Sequence, residues 1–268
     1  MGARSVVDVS GIQIGAAGFV VIGGPCSVES VEQFEKTAIG VRAAGAAMLR
    51  GGIYKLRSSP KSFQGLGEDG LEIAKEVATR VGMPLVSEIV DPRHLEILED
   101  VVDMYQVGTR NMHNYALLKE LGKSKRAVLI KRGFAATLDE LLLAAEYVVS
   151  HGNPNVVLCE RGIRSFDRAT RNTLDLGAVA WLKANTRLPV VVDPSHGVGI
   201  AKLVPPMMWA AAAAGADGLL VEVHPNPIEA LSDADQALDF ASFSQAMHQL
   251  EKVLLALGRP LVRAKNKV

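Results

Sequence analysis

The sequence predicts an α/β chain, a single (β/α)8 barrel with a short N-terminal β-hairpin, on three observations. Short apolar runs recur along nearly the whole chain, each followed by a helical pattern, which is the signature of βα units. There are eight such runs. No linker rich in Pro, Gly or Ser and no low-complexity tract divides the 268 residues, so a single domain spanning 1–268 is expected. Eight βα units under one composition close into a parallel barrel, whereas the alternative, a doubly wound open sheet, usually has fewer strands.

Residues 6–14 (VVDVSGIQI) alternate apolar and polar side chains around Gly11. They read as a hairpin placed to plug the barrel's bottom, within an extension covering 1–17. The barrel runs are 19–23 (FVVIG), 47–50 (AMLR), 85–88 (LVSE), 104–107 (MYQV), 128–131 (VLIK), 156–159 (VVLC), 190–193 (VVVD) and 218–222 (GLLVE). Helices are expected at 31–44, 71–81, 93–99, 115–121, 138–150, 172–185 and 206–214, and 240–257 closes the series.

Composition narrows the partners. Apolar residues make up 49% and charged residues 22%, a globular mixture. Lys+Arg and Asp+Glu both number 29, which gives no support for nucleic acid as a partner. Cys26 and Cys159 form no disulfide framework and no CxxC knuckle, and both are expected to be reduced in a cytosol. Residues 1–8 include Arg4 and Asp8 and hold no long apolar stretch, so no signal peptide is expected. The apolar segment 207–215 (MMWAAAAAG) is too short to span a membrane and reads as a buried helix face. The expected place is cytoplasmic, away from membranes.

In such barrels the active site lies where the strands end. The cations Arg50, Lys55, Arg57, Arg110, Lys131 and Arg161 all follow strand ends. Converging them on one mouth of a neutral chain is costly unless anions sit there, and Arg suits phosphate and carboxylate. The plainer alternative is a set of rim salt bridges with Glu88, Glu160 and Asp193. A second group is Cys26, His196, Glu222 and a later acid, Asp233 or Asp235. Thiolate, imidazole and carboxylate are ligands of a borderline divalent metal. Strands one, seven and eight meet where a barrel closes, so the fold itself brings three of these together. Cys159 reads as core, Trp181 and Trp209 as packing, and His94, His113, His151 and His248 stand without ligand-like company.

Seven stretches carry a family resemblance: GPCSVES (24–30), LRGGIYKLRSSPKSFQGLG (49–67), VGTRN (107–111), LIKRG (129–133), LCERGIR (158–164), VVDPSHGVG (191–199) and VEVHPNPIEALSDADQAL (221–238). In this order they resemble the short bacterial and archaeal branch of 3-deoxy-D-arabino-heptulosonate 7-phosphate synthase. The resemblance implies a barrel that condenses phosphoenolpyruvate with erythrose 4-phosphate and water, the first step of the shikimate route to aromatic amino acids.

It further implies that Cys26, His196, Glu222 and Asp233 hold one divalent metal, Mn2+, Zn2+, Fe2+ or Co2+. Asp233 is preferred over Asp235 because it follows Leu231-Ser232 as in the family's pattern. Arg110 and Arg161, with backbone N–H groups near Gly108 and Thr109, would hold the phosphate of phosphoenolpyruvate. Arg50 and Lys131 would hold its carboxylate. Lys55 would bridge both substrates and protonate the developing alkoxide. Arg57, Ser58 and Asp193 would contact erythrose 4-phosphate, and Glu88 would position the water that adds at C2.

A sister family, 3-deoxy-D-manno-octulosonate 8-phosphate synthase, takes arabinose 5-phosphate and remains the alternative. Ser58-Ser59 echoes its pattern, but Arg57 stands two residues after Lys55, as in the first family. Two further rivals are a Schiff-base aldolase using Lys131 and a non-catalytic sugar-phosphate sensor. Family members commonly assemble as homotetramers. Regulated members carry an extra domain, for which this chain has no room, so unregulated activity is expected.

Overall fold

The computed structural model describes residues 4–57 and 59–265, so Ser58, expected to grip the sugar phosphate, lies outside the described residues, as do 1–3 of the expected leaderless start. The chain opens with an antiparallel hairpin, β1 (Val7–Val9) and β2 (Ile12–Ile14), turned at Ser10 and Gly11, both at positive φ. Eight parallel strands follow: β3 (Val20–Gly24), β4 (Met48–Arg50), β5 (Leu85–Ile89), β6 (Met104–Val107), β7 (Ala127–Lys131), β8 (Val156–Glu160), β9 (Val190–Val192) and β10 (Gly218–Glu222). They close into a barrel, β10 pairing back onto β3 over five residues.

Side-chain alternation along the strands makes two cores and one polar end. Facing inward, Val20, Ile22, Met48, Val86, Met104, Leu129, Val157, Val191 and Leu220 cluster with Val7, Val9, Ile12 and Ile14 of the hairpin, which thus plugs the bottom as expected. Their neighbours, such as Val21, Leu49, Tyr105, Val128, Leu158 and Leu219, face outward onto the helices. Two residues further along the inward face the character changes. Met48 gives way to Arg50, Val86 to Glu88, Leu129 to Lys131, Cys159 to Arg161, Val191 to Asp193 and Leu220 to Glu222, all buried. Strand period thus converts an apolar floor into a ring of charge at the C-terminal mouth.

The helices are α1 (Val31–Ala43), α2 (Glu68–Val81), α3 (Leu95–Glu99), α4 (Tyr115–Leu121), α5 (Leu138–Ser150), α6 (Leu176–Asn185), α7 (Pro194–Val198), α8 (Val204–Ala213) and α9 (Phe240–Ala256). Three differ from expectation. The third is split, because Asp91 caps a separate 3-10 turn at Pro92–His94. The sixth starts at Leu176, where Asp175 accepts a hydrogen bond from Ala178 N, and the residues before it pair instead with the β8 loop through Ile163 and Thr173. The run after β9, expected as loop, is helical because Asp193 caps it and Pro194 suits its first turn. Trp209 packs as expected, its Nε1 donating to Ala246 O at 3.1 Å, while Trp181 stands 41% exposed. Among the described residues no helix is long and apolar enough to cross a membrane.

Candidate active site

Ligand atoms of Cys26, His196, Glu222 and Asp233 all lie within 4.8 Å of one another. Cys26 follows β3, and its Sγ donates to Asp233 Oδ2 at 3.0 Å. His196 sits in the first turn of α7, held by the capping residue: Asp193 accepts from His196 N at 2.9 Å, and its Oδ2 lies 2.8 Å from Nδ1. That bond leaves Nε2 facing Glu222 Oε1 at 3.3 Å. Glu222 ends β10, and its N–H donates to Ser195 Oγ at 3.0 Å. Asp233 adopts the left-handed conformation, φ 55°, that Asp tolerates better than most residues. Its loop is latched by Ser27 and Ser232, 2.6 Å apart, and by Glu29, which accepts from Leu231 N at 3.0 Å. Asp235 is outside the cluster and lines a neighbouring depression.

The electrostatics suit a cation. Burial, and then the Glu222 charge, push the Cys26 thiol up to about 12. Burial holds the His196 imidazole below its usual range, favouring the neutral ligand form. Burial opposes ionisation of Glu222 and Asp233, but His196 and neighbouring guanidinium groups outweigh it and keep both carboxylates low. A thiol, an imidazole, a buried carboxylate and a half-buried one make a donor set that fits a borderline divalent ion.

Beside the cluster opens a cavity lined by Lys55, Arg57, Arg110, Lys131, Arg161 and Arg171, against Glu88 and Asp233 as the carboxylates among the described residues. Burial alone would lower Lys55, but Cys26 and Glu88 raise its ammonium above the ordinary lysine value. Its Nζ lies 2.9 Å from Glu88 Oε2. Gly108 makes room for Glu88, since a Cβ there would stand 2.1 Å from Oε1. Arg161 is 2% exposed, its Nε has no hydrogen-bond partner among the described residues, and burial lowers its pKa. Arg161 and Arg110 both lie over the Phe134 ring, at 5.0 and 5.3 Å.

Five of the six expected cations reach this cavity, and the sixth does not. Arg50 lies beneath it, bonded to Glu222 Oε1 at 2.7 Å. Asp193, expected to contact erythrose 4-phosphate, is fully buried and bonded to His196 and to Lys131 Nζ at 2.5 Å, so it holds those two groups in place. The salt-bridge alternative is half right. Glu88 and Asp193 pair with Lys55 and Lys131, whereas Glu160 turns outward to Arg132 at 2.9 Å. Gln106, Phe134 and Arg171 also line the cavity and were missed. Gln106 could have been found, because it continues the inward parity of Met104. Phe134 and Arg171 lie on loops, where no period applies.

A closed barrel with a cation-lined mouth beside a metal-ligand set defines an enzyme that handles anionic substrates. The DAHP synthetase I family matches residues 4–256, and the chain belongs to that family. It is 47% identical over 254 residues to phospho-2-dehydro-3-deoxyheptonate aldolase of Thermotoga maritima, covering 95% of this chain and 75% of that protein. A crystal structure of the DAHP synthase of Thermotoga maritima superposes with TM-score 0.93 at 46% identity, covering 97% of this chain and 76% of that one. A 2-dehydro-3-deoxyphosphooctonate aldolase of Acidithiobacillus ferrooxidans is 32% identical over 256 residues, covering 88% of this chain and 89% of that protein. The chain is thus a transferase of the heptulosonate-phosphate synthase type.

Proposed function

We propose that this site joins phosphoenolpyruvate to erythrose 4-phosphate and water, releasing 3-deoxy-D-arabino-heptulosonate 7-phosphate and inorganic phosphate. The observation that carries the assignment is Arg161: a buried guanidinium with an unpartnered Nε, in a cation-lined cavity adjoining the ligand cluster. Such a group calls for an anion.

Arg161 and Arg110, spaced by Phe134, take the phosphate of phosphoenolpyruvate, with Gly108 and Thr109 beside them. Lys131 takes its carboxylate, and Arg50 adds its field from below. Arg57 and Ser58 take the sugar phosphate. Cys26, His196, Glu222 and Asp233 hold a divalent metal, Mn2+, Zn2+, Fe2+ or Co2+, which when bound supplies Lewis acidity. C3 of phosphoenolpyruvate attacks the aldehyde carbon, and the Lys55 ammonium, kept charged by Glu88, protonates the oxygen that develops there. Water positioned by Glu88 adds at C2, and phosphate leaves by C–O cleavage. Holding two anions in attack geometry can contribute on the order of 7–11 kcal/mol. The ion pair of Lys131 with Asp193 speaks against a Schiff-base lysine.

The octulosonate alternative is weaker, since those relatives match at lower identity. We also propose a cytoplasmic homotetramer. The exposed Phe166, Ile228 and Leu255 offer apolar surface for assembly. The test is phosphate release from phosphoenolpyruvate with Mn2+, offering erythrose 4-phosphate or arabinose 5-phosphate, with and without EDTA. Turnover confined to the four-carbon sugar and abolished by EDTA is expected. Preference for arabinose 5-phosphate, or indifference to thorough metal removal, overturns the reading.

A further inference from the structure

We propose that Arg171 and Gln236 are positioning residues that fix the two carboxylates of the ligand cluster, a role that rests on the metal-site reading above. Gln236 is 2% exposed, at the end of a 3-10 turn, Ala234–Gln236, immediately after Asp233. Its Nε2 donates to Glu222 Oε2, and its Oε1 accepts from Arg171 Nη1 at 2.6 Å. The same Nη1 donates to Asp233 Oδ1 at 3.0 Å. One guanidinium therefore holds Asp233 directly and Glu222 through an amide.

The chemistry of position 236 is restrictive. A guanidinium only donates and a carboxylate only accepts, so the group between them must accept on one side and donate on the other. An amide does both, and this requirement also fixes which way it points. A carboxylate at 236 would satisfy Arg171 but have nothing to donate to Glu222.

Each cluster carboxylate is consequently split in function. Glu222 gives Oε2 to Gln236 and turns Oε1, which also accepts from Arg50 Nη1 at 2.7 Å, toward His196 Nε2 at 3.3 Å. Asp233 gives Oδ1 to Arg171 and turns Oδ2 toward Cys26 Sγ at 3.0 Å. Two like charges at this spacing repel, and a guanidinium that bonds one outer oxygen directly and the other through an amide keeps the inner ones convergent. Arg171 is itself fixed from behind. Its N–H donates to Val198 O at 2.9 Å, and Gly199 lies so close that a Cβ there would stand 2.4 Å from Arg171 Cβ.

The test uses metal-free full-length protein titrated with Co2+ alone, reading the dissociation constant by chelator competition and the thiolate-to-cobalt absorption band. Gln236→Met keeps volume and removes both hydrogen bonds. Arg171→Met alters a side chain that is 38% exposed and tolerable to folding. Each is expected to weaken Co2+ binding on the order of 10–100-fold and to shift the absorption band, whereas Gln236→Glu fails to restore affinity. The double variant is expected to lose less than the two single losses combined, because both cut the shared Arg171–Gln236 bond. Single variants within about twofold of the unaltered protein, or losses that add in full, overturn the relay. If Gln236→Met fails to fold, Arg171→Met alone decides. An unaltered protein that binds no Co2+ sinks the metal-site reading, whereas normal binding with indifferent variants sinks the relay only.

Discussion

Asp193→Asn separates orientation from substrate contact at the centre of the site. Asp193 is fully buried and accepts from His196 N, His196 Nδ1 and Lys131 Nζ at 2.9, 2.8 and 2.5 Å. Asn keeps an oxygen for the helix cap but loses the charge. Lys131, 3% exposed, is left as a buried ammonium without its counter-ion. Removing one partner of a buried pair costs about 3–5 kcal/mol. At roughly 2–4 °C per kcal/mol for a protein of this size, the melting temperature should fall on the order of 10 °C. The imidazole also loses the acceptor that fixes its tautomer, so metal affinity should fall about 10–100-fold. Melting is followed by circular dichroism in EDTA, so that metal loss does not enter, and metal affinity is measured separately. An unchanged melting temperature in EDTA would refute the buried-pair reasoning. A selective rise in KM for erythrose 4-phosphate, with metal affinity intact, would make Asp193 a sugar contact. Burial favours the protonated Asp193 carboxyl, but His196 and Lys131 outweigh it and hold it well below the usual range. A depressed carboxylate stabilises the fold above its unfolded value, and that contribution is lost as pH falls through about 4 and below. As pH falls from there to the folded value, which lies well below the usual range, the melting curves of Asp193→Asn and the unaltered protein should therefore draw together.

Glu88→Gln should move the alkaline limb of kcat/KM to lower pH, because Lys55 loses the neighbouring charge that keeps its ammonium. Activity that needs a protonated Lys55 is lost as pH rises through its pKa; a limb that stays in place removes Lys55 as the acid. Ile14→Ala, at a fully buried plug position, should cost about 2–5 kcal/mol in denaturant unfolding. Metal affinity should be untouched, since the hairpin lies at the opposite end from the site, and a parallel loss of affinity would show that the plug and the mouth are coupled.

The barrel was legible because period and count are properties of sequence. Eight apolar runs, each bound within one residue of the observed one, need no tertiary knowledge, and Met104–Val107, Tyr115–Leu121, Leu138–Ser150 and Gly218–Glu222 match to the residue. The ligand cluster was legible for a related reason. Cys26, His196 and Glu222 follow strands that closure makes neighbours, so their meeting is a consequence of topology.

What stayed hidden depends on pairing between loops or on parity within a strand end. Arg50 and Lys131 both close a strand on its inward face, yet one lies beneath the cavity and the other lines it. The difference is set by which carboxylate each finds, Glu222 or Asp193, and spacing cannot rank those partners. Asp193 reads equally as a strand end, a cap and a ligand until α7 is seen to begin one residue later. Arg171 and Gln236 are 65 positions apart, on loops without period, and only the closed mouth brings the guanidinium against the amide. A sequence pattern can therefore name the site side chains that stand at strand ends, such as Glu88, Lys131 and Glu222, whereas Asp233, Phe134 and Arg171 come from loops. The residues that aim them come from wherever the loops fold back, and the carboxylates are aimed from there.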